Sequence, residues 1–504
     1  MESSPQDTSD AGAAPAAQEP AGSADHRRVL KNAMFLVVAQ AIVTPLSIVI
    51  NIVMARSLGA EDFGHLYLAM TFAGFGFLFV EWGQGAMLIG LVARGRERAG
   101  ELLGSSLAWR LGASLPVTLA LVIVAWAFDY GSSFTIALLL VAAGSIVSSL
   151  IGACQDVIRG FERTDFGALS YVGWQLLRLL VVVPTLLLGG GLKAVLAVQA
   201  LSSVLGLVVV LLALAPLGVK GLVARRSTVR ELVVGGAPFM VFGLTMAAQA
   251  NVDAVFLSKL ASADAVGWYA AATKLSGVLI YPASVLISAV YPTLCRLHAE
   301  DLAGYRRTAA ATMRTTILLA LPVALGTALY PDLGIRLFSR EAYGPAEDDL
   351  RVLALYLLLV FVSMPMGSVL VAAGRQRPWA LAQLGAVIVS LTLDPILVPV
   401  FHRSRGNGGL GVCVTTVLGE VLILAVGLTL VSRGVFDRPF LVKLARVVLA
   451  GVAMALVAWA ATGLPSIVSA ALAVVAYVAG AWLFGGLDRD QLAALRALVR
   501  RRRG

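Results

Sequence analysis

Charge is scarce in this sequence: Asp, Glu, Lys and Arg make up 13% of its 504 residues, against about 25% in an ordinary soluble chain. Cysteine and histidine are scarcer still. Cys154, Cys295 and Cys413 lie far apart at or inside apolar stretches, so neither a disulfide framework nor a metal site is implied, and packing is their expected role. His26, His65, His298 and His402 make no helical His-Glu pairing of the metal-enzyme kind. No G-x-x-x-x-G-K-[ST] loop occurs, which excludes that route to ATP hydrolysis. The longest outer connection, about Pro331 to Asp349, is too short for a catalytic domain. Residues 1–25 have neither an apolar core nor a cleavage-type signal and read as a disordered cytoplasmic tail.

What the chain does have is apolar sequence, 59% of it. A bilayer core about 30 Å thick takes roughly 20 apolar residues per helix. Such stretches occur near 33–55, 64–92, 102–128, 132–154, 167–188, 192–216, 232–258, 268–294, 310–330, 350–373, 379–400, 410–432, 446–463 and 466–485. Fourteen spans put both termini on one side. Positively charged short loops stay in the cytoplasm, and with the N-terminus inside, the inner segments hold 28 of the 39 Lys and Arg. The outer loops hold eight, and Arg110, Arg178 and Lys274 lie within spans. The net charge of +10 then follows from topology and attraction to anionic lipid, leaving nucleic-acid binding without a role. Residues 486–504 place Leu492, Leu495 and Val499 at helical spacing among arginines, as expected of a basic amphipathic tail on the inner surface.

The chain repeats itself. RSLGAEDFGHLY, from Arg56 to Tyr67, and KLASADAVGWY, from Lys259 to Tyr269, each close one apolar stretch and open the next. Leu58 aligns with Leu260, Asp62 with Asp264, Gly64 with Gly267, and Asn51 with Asp253. Gly160 to Arg163 matches Gly374 to Arg377. Each pair lies six spans apart, so the halves are oriented alike. The expectation is an all-α polytopic membrane protein with two six-helix bundles (26–216 and 217–432) related by a parallel repeat, plus two C-terminal helices in 433–485, enclosing a central cavity.

Polar residues in a bilayer face the protein interior or a wet cavity. Gln40, Thr44, Ser47 and Asn51 form one helical face in the first span, and Thr245, Gln249 and Asp253 form another in the seventh. The fifth carries Tyr171, Trp174, Gln175, Arg178 and Thr185 on one face. Aromatic rings suit sugar faces, an amide suits hydroxyls, and a guanidinium grips phosphate through two parallel hydrogen bonds. This stripe therefore suggests a phosphorylated glycan. Equally, Arg178 pairs structurally with Glu420 of the twelfth span. Lys274, Tyr281 and Ser288 make a sparser stripe, with Lys274 as a second cation lining the outer half of the cavity, and Asn51 of the first-span stripe is a further candidate for substrate binding. Glu81, Asp253, Asp394 and Glu420 are the carboxylates at depth that could bind a coupling H⁺ or Na⁺; Asp253, on the stripe with Gln249, and Glu420 are the candidates, and a local salt bridge from Asp253 to Lys259 or Lys274 is the alternative. Asp394 precedes Pro395 and reads as a helix-end residue. No catalytic residue, metal or cofactor is expected.

Several motifs resemble the polysaccharide transporters of the multidrug, oligosaccharidyl-lipid and polysaccharide exporter superfamily. They are Asn251-Val-Asp253, Gly267-Trp-Tyr269-Ala-Ala-Ala-Thr-Lys274, Tyr291-Pro292, Arg56 to Gly64, Arg159-Gly-Phe-Glu-Arg163 and Gly406-Asn-Gly-Gly-Leu-Gly411. The resemblance covers most of the chain beyond its first 25 residues. It implies a flippase moving lipid-linked oligosaccharide of undecaprenyl-pyrophosphate type outward across the bacterial inner membrane, with other polysaccharide-assembly proteins as further partners. Flippases of the cell-wall lipid precursor carry cavity arginines near their first helices, which the first span here lacks, and this favours a surface-polysaccharide repeat unit. A cation-coupled multidrug antiporter of the same superfamily and a non-transporting membrane scaffold are the alternatives.

Overall fold

The computed structural model describes residues 21–486 apart from 162, 220, 339, 432–434 and 436–437, without the side chains of 21–41, 164, 165, 242, 245, 246, 248–251, 292, 340 and 439. The described residues contain sixteen α-helices and no strand. They are α1 (Ala21–Glu81), α2 (Gln84–Arg94), α3 (Ala99–Ala127), α4 (Gly131–Gly160), α5 (Thr164–Leu187), α6 (Leu192–Leu214), α7 (Arg226–Leu260), α8 (Ala263–Glu300), α9 (Leu302–Leu329), α10 (Pro331–Ile335), α11 (Arg340–Tyr343), α12 (Ala346–Ala372), α13 (Gln376–Arg405), α14 (Gly409–Leu430), α15 (Arg438–Ala460) and α16 (Ser466–Leu483). Among the described residues twelve stretches are long and apolar enough to cross a membrane, where fourteen are expected from the whole sequence. One of the twelve, Ile42–Arg94, counts once although it is divided internally. The protein is a multi-pass membrane protein. Leu115, Leu180, Leu187 and Leu212 show the usual lipid-facing exposure of such helices.

The division inside α1 is at Gly59, whose φ of 77° and ψ of 177° only glycine adopts cheaply. There the helical path breaks at a kink, and the first two expected spans meet. Helix begins at Ala21, within the stretch expected to be a disordered tail. Residues 1–20 and most of the basic tail, 487–504, lie outside the described residues. Helix α13 runs unbroken through Pro395 and Pro399, so Asp394 is not at a helix end but buried in mid-helix. In a bilayer, neighbouring helices and side chains satisfy the carbonyl that a proline frees, so the helix continues. Cys154 and Cys413 pack in the interior as expected, whereas Cys295 is exposed.

The two halves pack against each other through the repeated segments. A side chain on Gly64 would collide with the Ala263 carbonyl, and one on Gly267 with the Ala60 carbonyl. Tyr67 and Tyr269, which end the two repeated segments, meet edge to face with ring centroids 6.4 Å apart. At the opposite end of the bundle, Gly83 sits against the Gly236 carbonyl. There Trp82 Nε1 donates to the Val233 carbonyl at 3.0 Å. Helix α15 packs on α16 and on α9, which attaches the C-terminal pair to the second half.

Candidate functional site

Between the Gly64 and Gly83 crossings lies a cavity of about 310 Å³. Its walls include Thr44, Ser47 and Asn51 from α1, Tyr171 from α5, and Lys274 and Tyr281 from α8. Three of the expected substrate residues, Asn51, Tyr171 and Lys274, therefore converge from three helices. Asn51 is held by its own helix, Nδ2 donating to the Ser47 carbonyl at 2.7 Å. Gln175 is buried in the wall, donating to Ser47 Oγ at 3.2 Å, and its amide oxygen has no partner. The Lys274 ammonium lies 5.7 Å from the Tyr67 ring centroid, a cation–π distance. No carboxylate appears among the described residues lining this cavity.

Arg178 lies behind that wall, within electrostatic reach of both Lys274 and Tyr171. It does not pair with Glu420. With the Gln199 amide turned so that its oxygen faces the guanidinium, Arg178 Nε donates to it across 3.3 Å. Glu420 of α14 instead accepts from Ser363 of α12. A neutral amide partner leaves the guanidinium charge uncompensated. Trp174 departs from the expected stripe: its indole fills the space left by Gly206 of α6, and its Nε1 has no partner. It packs α5 on α6 because it projects to one side of the Tyr171–Gln175 face. Thr185 bonds back to the Val181 carbonyl at 2.8 Å.

A second cavity, about 670 Å³, opens in the other half against α8, α12, α13 and α14. Glu420, Tyr356, Gln383 and Ser288 line it.

Deeper in that half, the carboxyl groups of Asp253 (α7) and Asp394 (α13) meet side by side. Ser390 is within hydrogen-bonding reach of Asp253, and the Thr415 hydroxyl of α14 donates to Asp394. One oxygen of each carboxyl is buried without a donor. Neither expected salt bridge forms, because Lys259 instead donates to the Phe128 carbonyl and Lys274 sits on Tyr67. The Gln249 side chain lies outside the described residues. Ser390 and Thr415 were not among the expected coupling residues, and Asp394 is one of the candidate carboxylates, although its sequence context favours a helix end. The spacing of Ser390 and Asp394 by four on one helix is the signal that could have found them.

A polysaccharide biosynthesis protein family model matches residues 29–298, and a MatE model matches residues 238–396. No curated protein matches. Among solved structures, the lipid II flippase MurJ in an inward closed conformation superposes with a TM-score of 0.68 at 15% identity, covering 90% of this chain and 98% of that one. An inward-facing multidrug resistance MATE family transporter of the MOP superfamily gives 0.64 at 16% identity, covering 78% and 96%. A MOP superfamily transporter from Pyrococcus furiosus gives 0.53 at 16% identity, covering 80% and 94%.

Proposed function

The chain belongs to the polysaccharide biosynthesis protein family, and we propose that it flips lipid-linked oligosaccharide of undecaprenyl-pyrophosphate type outward across a bacterial inner membrane. The observation that carries this reading is Lys274 in a carboxylate-free cavity walled by Tyr171, Tyr281 and Asn51, with Arg178 behind the wall within electrostatic reach of it. A pyrophosphate is the ligand that such a site compensates, since buried positive charge needs an anion or strong acceptors. The tyrosines and Asn51 suit the first sugars. MurJ, the flippase for lipid II, shares the fold.

In this reading 26–216 and 217–432 move as two bundles in alternating access, with 433–485 as the remaining pair of fourteen spans. Both termini lie in the cytoplasm, so the Gly59 end faces outward. Coupling falls to Asp253 and Asp394, with Ser390 and Thr415 around them, and Gln249, one turn before Asp253 in the sequence of α7, stays a candidate. Two carboxyl groups facing each other away from water need a cation or a shared proton between them, and H⁺ or Na⁺ supplies it. Glu420 belongs to the second cavity.

The second reading, a cation-coupled multidrug antiporter, rests on that second cavity, where the Glu420 carboxylate and the Tyr356 ring suit an organic cation. Lipid extraction from a deletion strain separates the two. Flippase function gives lipid-linked oligosaccharide accumulating on the inner leaflet and a fall in surface polysaccharide. An unchanged glycan with raised sensitivity to cationic drugs replaces it with the antiporter.

A further inference from the structure

A third cavity, about 580 Å³, lies between α8 and α9 on a different face of α8 from the two cavities above. Its walls bring together Arg306, Arg307 and Arg314 with Leu286 and Val290, and no carboxylate lines it among the described residues. Arg306 and Arg307 are exposed, and Arg314 Nε is buried with no hydrogen-bond partner. Arg307 has one competing acid, Asp301, at 3.7 Å, in a pair that is exposed on both sides and therefore weak. Asp301 also caps α9, accepting from the Gly304 amide at 2.9 Å.

The position of the arginines along α9 gives the site its chemistry. The polar first half of the helix carries all three, and the charge-free, largely apolar stretch from Ile317 to Leu329 follows. The change of composition puts the arginines where a bilayer's hydrocarbon gives way to phosphate. At 1.5 Å of rise per residue, Arg307 and Arg314 are separated by about 10 Å along one face, so Arg314 reaches from the acyl side toward the level of the other two. On that face Leu319 follows Ala311 and Thr315 one turn deeper, and it is exposed, as is Val285 of α8. An apolar track thus leads from the basic cavity into the hydrocarbon. Arg314 also borders α15 beside Leu444, so the cavity stands where the C-terminal pair joins the bundle.

We propose that this cavity binds the phosphodiester of an anionic phospholipid, with Arg306 and Arg307 at the headgroup, Arg314 beneath the phosphate, and one acyl chain along Leu319 and Val285. The occupant is a lipid rather than free phosphate because the apolar track would otherwise have no counterpart. This assignment is independent of the transported substrate.

The full-length detergent-solubilised protein, titrated with phosphatidylglycerol, phosphatidylcholine or inorganic phosphate and read by native mass spectrometry, tests it. Phosphatidylglycerol should remain bound where phosphatidylcholine does not, and millimolar inorganic phosphate should not displace it. Each of Arg306→Gln and Arg307→Gln should weaken retention roughly fivefold, and the pair roughly 25-fold, from the usual value of one basic residue at an anionic surface. Both side chains are exposed, so these variants keep the fold, and Arg306→Lys with Arg307→Lys should restore most of the affinity. Equal retention of the two lipids, wild-type retention by the double Gln variant, or displacement by inorganic phosphate overturns the assignment.

Discussion

Arg56 and Lys259, which open the two repeated segments, reach across to opposite halves and end at the C-termini of helices there. Arg56 donates from Nε to the Leu337 carbonyl at 2.6 Å and from Nη2 to the Arg336 carbonyl at 3.0 Å, just past α10. Lys259 donates to the Phe128 carbonyl at the end of α3 and stands 3.4 Å from the Tyr130 ring centroid. Unpaired carbonyls and the negative end of the helix dipole favour a cation at such a position. Tyr343 adds a third link, its hydroxyl donating to the Ala55 and Gly59 carbonyls at 3.0 and 2.9 Å. Burial pushes its phenol well above the ordinary tyrosine range, so it stays a donor. Together these contacts latch the Gly59 end shut over the Gly64–Gly267 crossing.

Breaking both cationic latches should favour opening at that end. After discounting for solvent exposure, each is worth about 1 kcal/mol, so Arg56→Ala with Lys259→Ala should shift the equilibrium roughly 30-fold. The measurement is the rate at which a cysteine at Ser47, in the cavity wall, reacts with an impermeant reagent added from the Gly59 side. No change in that rate would show that the latches do not govern access.

The Gly64–Gly267 crossing should tolerate no side chain. Gly267→Leu forces the facing carbonyl of Ala60 away and costs about 1–3 kcal/mol of closure. Spin labels on α1 and α8 should therefore report a wider separation at that end, and flipping should fall. An unchanged distance distribution in a folded variant would contradict the close approach.

Orientation is checked independently. A cysteine replacing Arg405 should react in intact cells with a membrane-impermeant maleimide, and one replacing Arg98 should not. The reverse pattern inverts the proposed topology.

The helices and the cavity wall were legible in the sequence, because apolar runs and the four-three spacing of polar residues are properties of single helices. A polar face in lipid must turn inward, so Asn51, Tyr171 and Lys274 could be brought together from three separate patterns. Partnerships between helices carry no such period. Arg178 has Glu420 and Gln199 at comparable depth in the sequence, and only packing selects Gln199. Trp174 shares the stripe's spacing, but Gly206 on a neighbouring helix draws it aside. Asp394 reads as a helix end because Pro395 ends helices in water, where freed carbonyls can be solvated, whereas α13 passes straight through it.

For Arg178, substrate phosphate or structural support give different outcomes. Arg178→Ala should weaken binding of the lipid-linked substrate about 10- to 100-fold through loss of a charge-assisted hydrogen bond of about 1.5–3 kcal/mol. Arg178→Lys should lose less, keeping the charge without the two-pronged grip. Gln199→Met removes the structural partner alone and should leave binding within a few-fold of wild type. Normal flipping by well-expressed Arg178→Ala would remove the phosphate role.

The carboxyl pair makes the sharpest claim about energy coupling. Asp253 and Asp394 come from α7 and α13, and each keeps one buried oxygen without a donor. A cation between them would tie the two helices together, whereas its departure would leave two like charges facing each other away from water, pushing the helices apart. Ion occupancy thereby becomes a force on the second half of the molecule, which is what coupling requires. Asp253→Asn and Asp394→Asn each remove one charge at nearly constant volume and supply an amide donor in the ion's place. Either variant should bind substrate yet flip it at a rate insensitive to the ion gradient. In reconstituted vesicles the wild type should follow either an imposed sodium gradient or an imposed pH gradient, and both variants should follow neither. Because a ligand that binds the folded state stabilises it in proportion to the logarithm of its concentration, sodium should raise the wild-type melting temperature over choline if Na⁺ is the ion, with no such rise in the variants. Gradient-dependent flipping that survives in a folded Asp253→Asn, Asp394→Asn double variant would place the coupling site elsewhere, with Glu420 the next carboxylate to test.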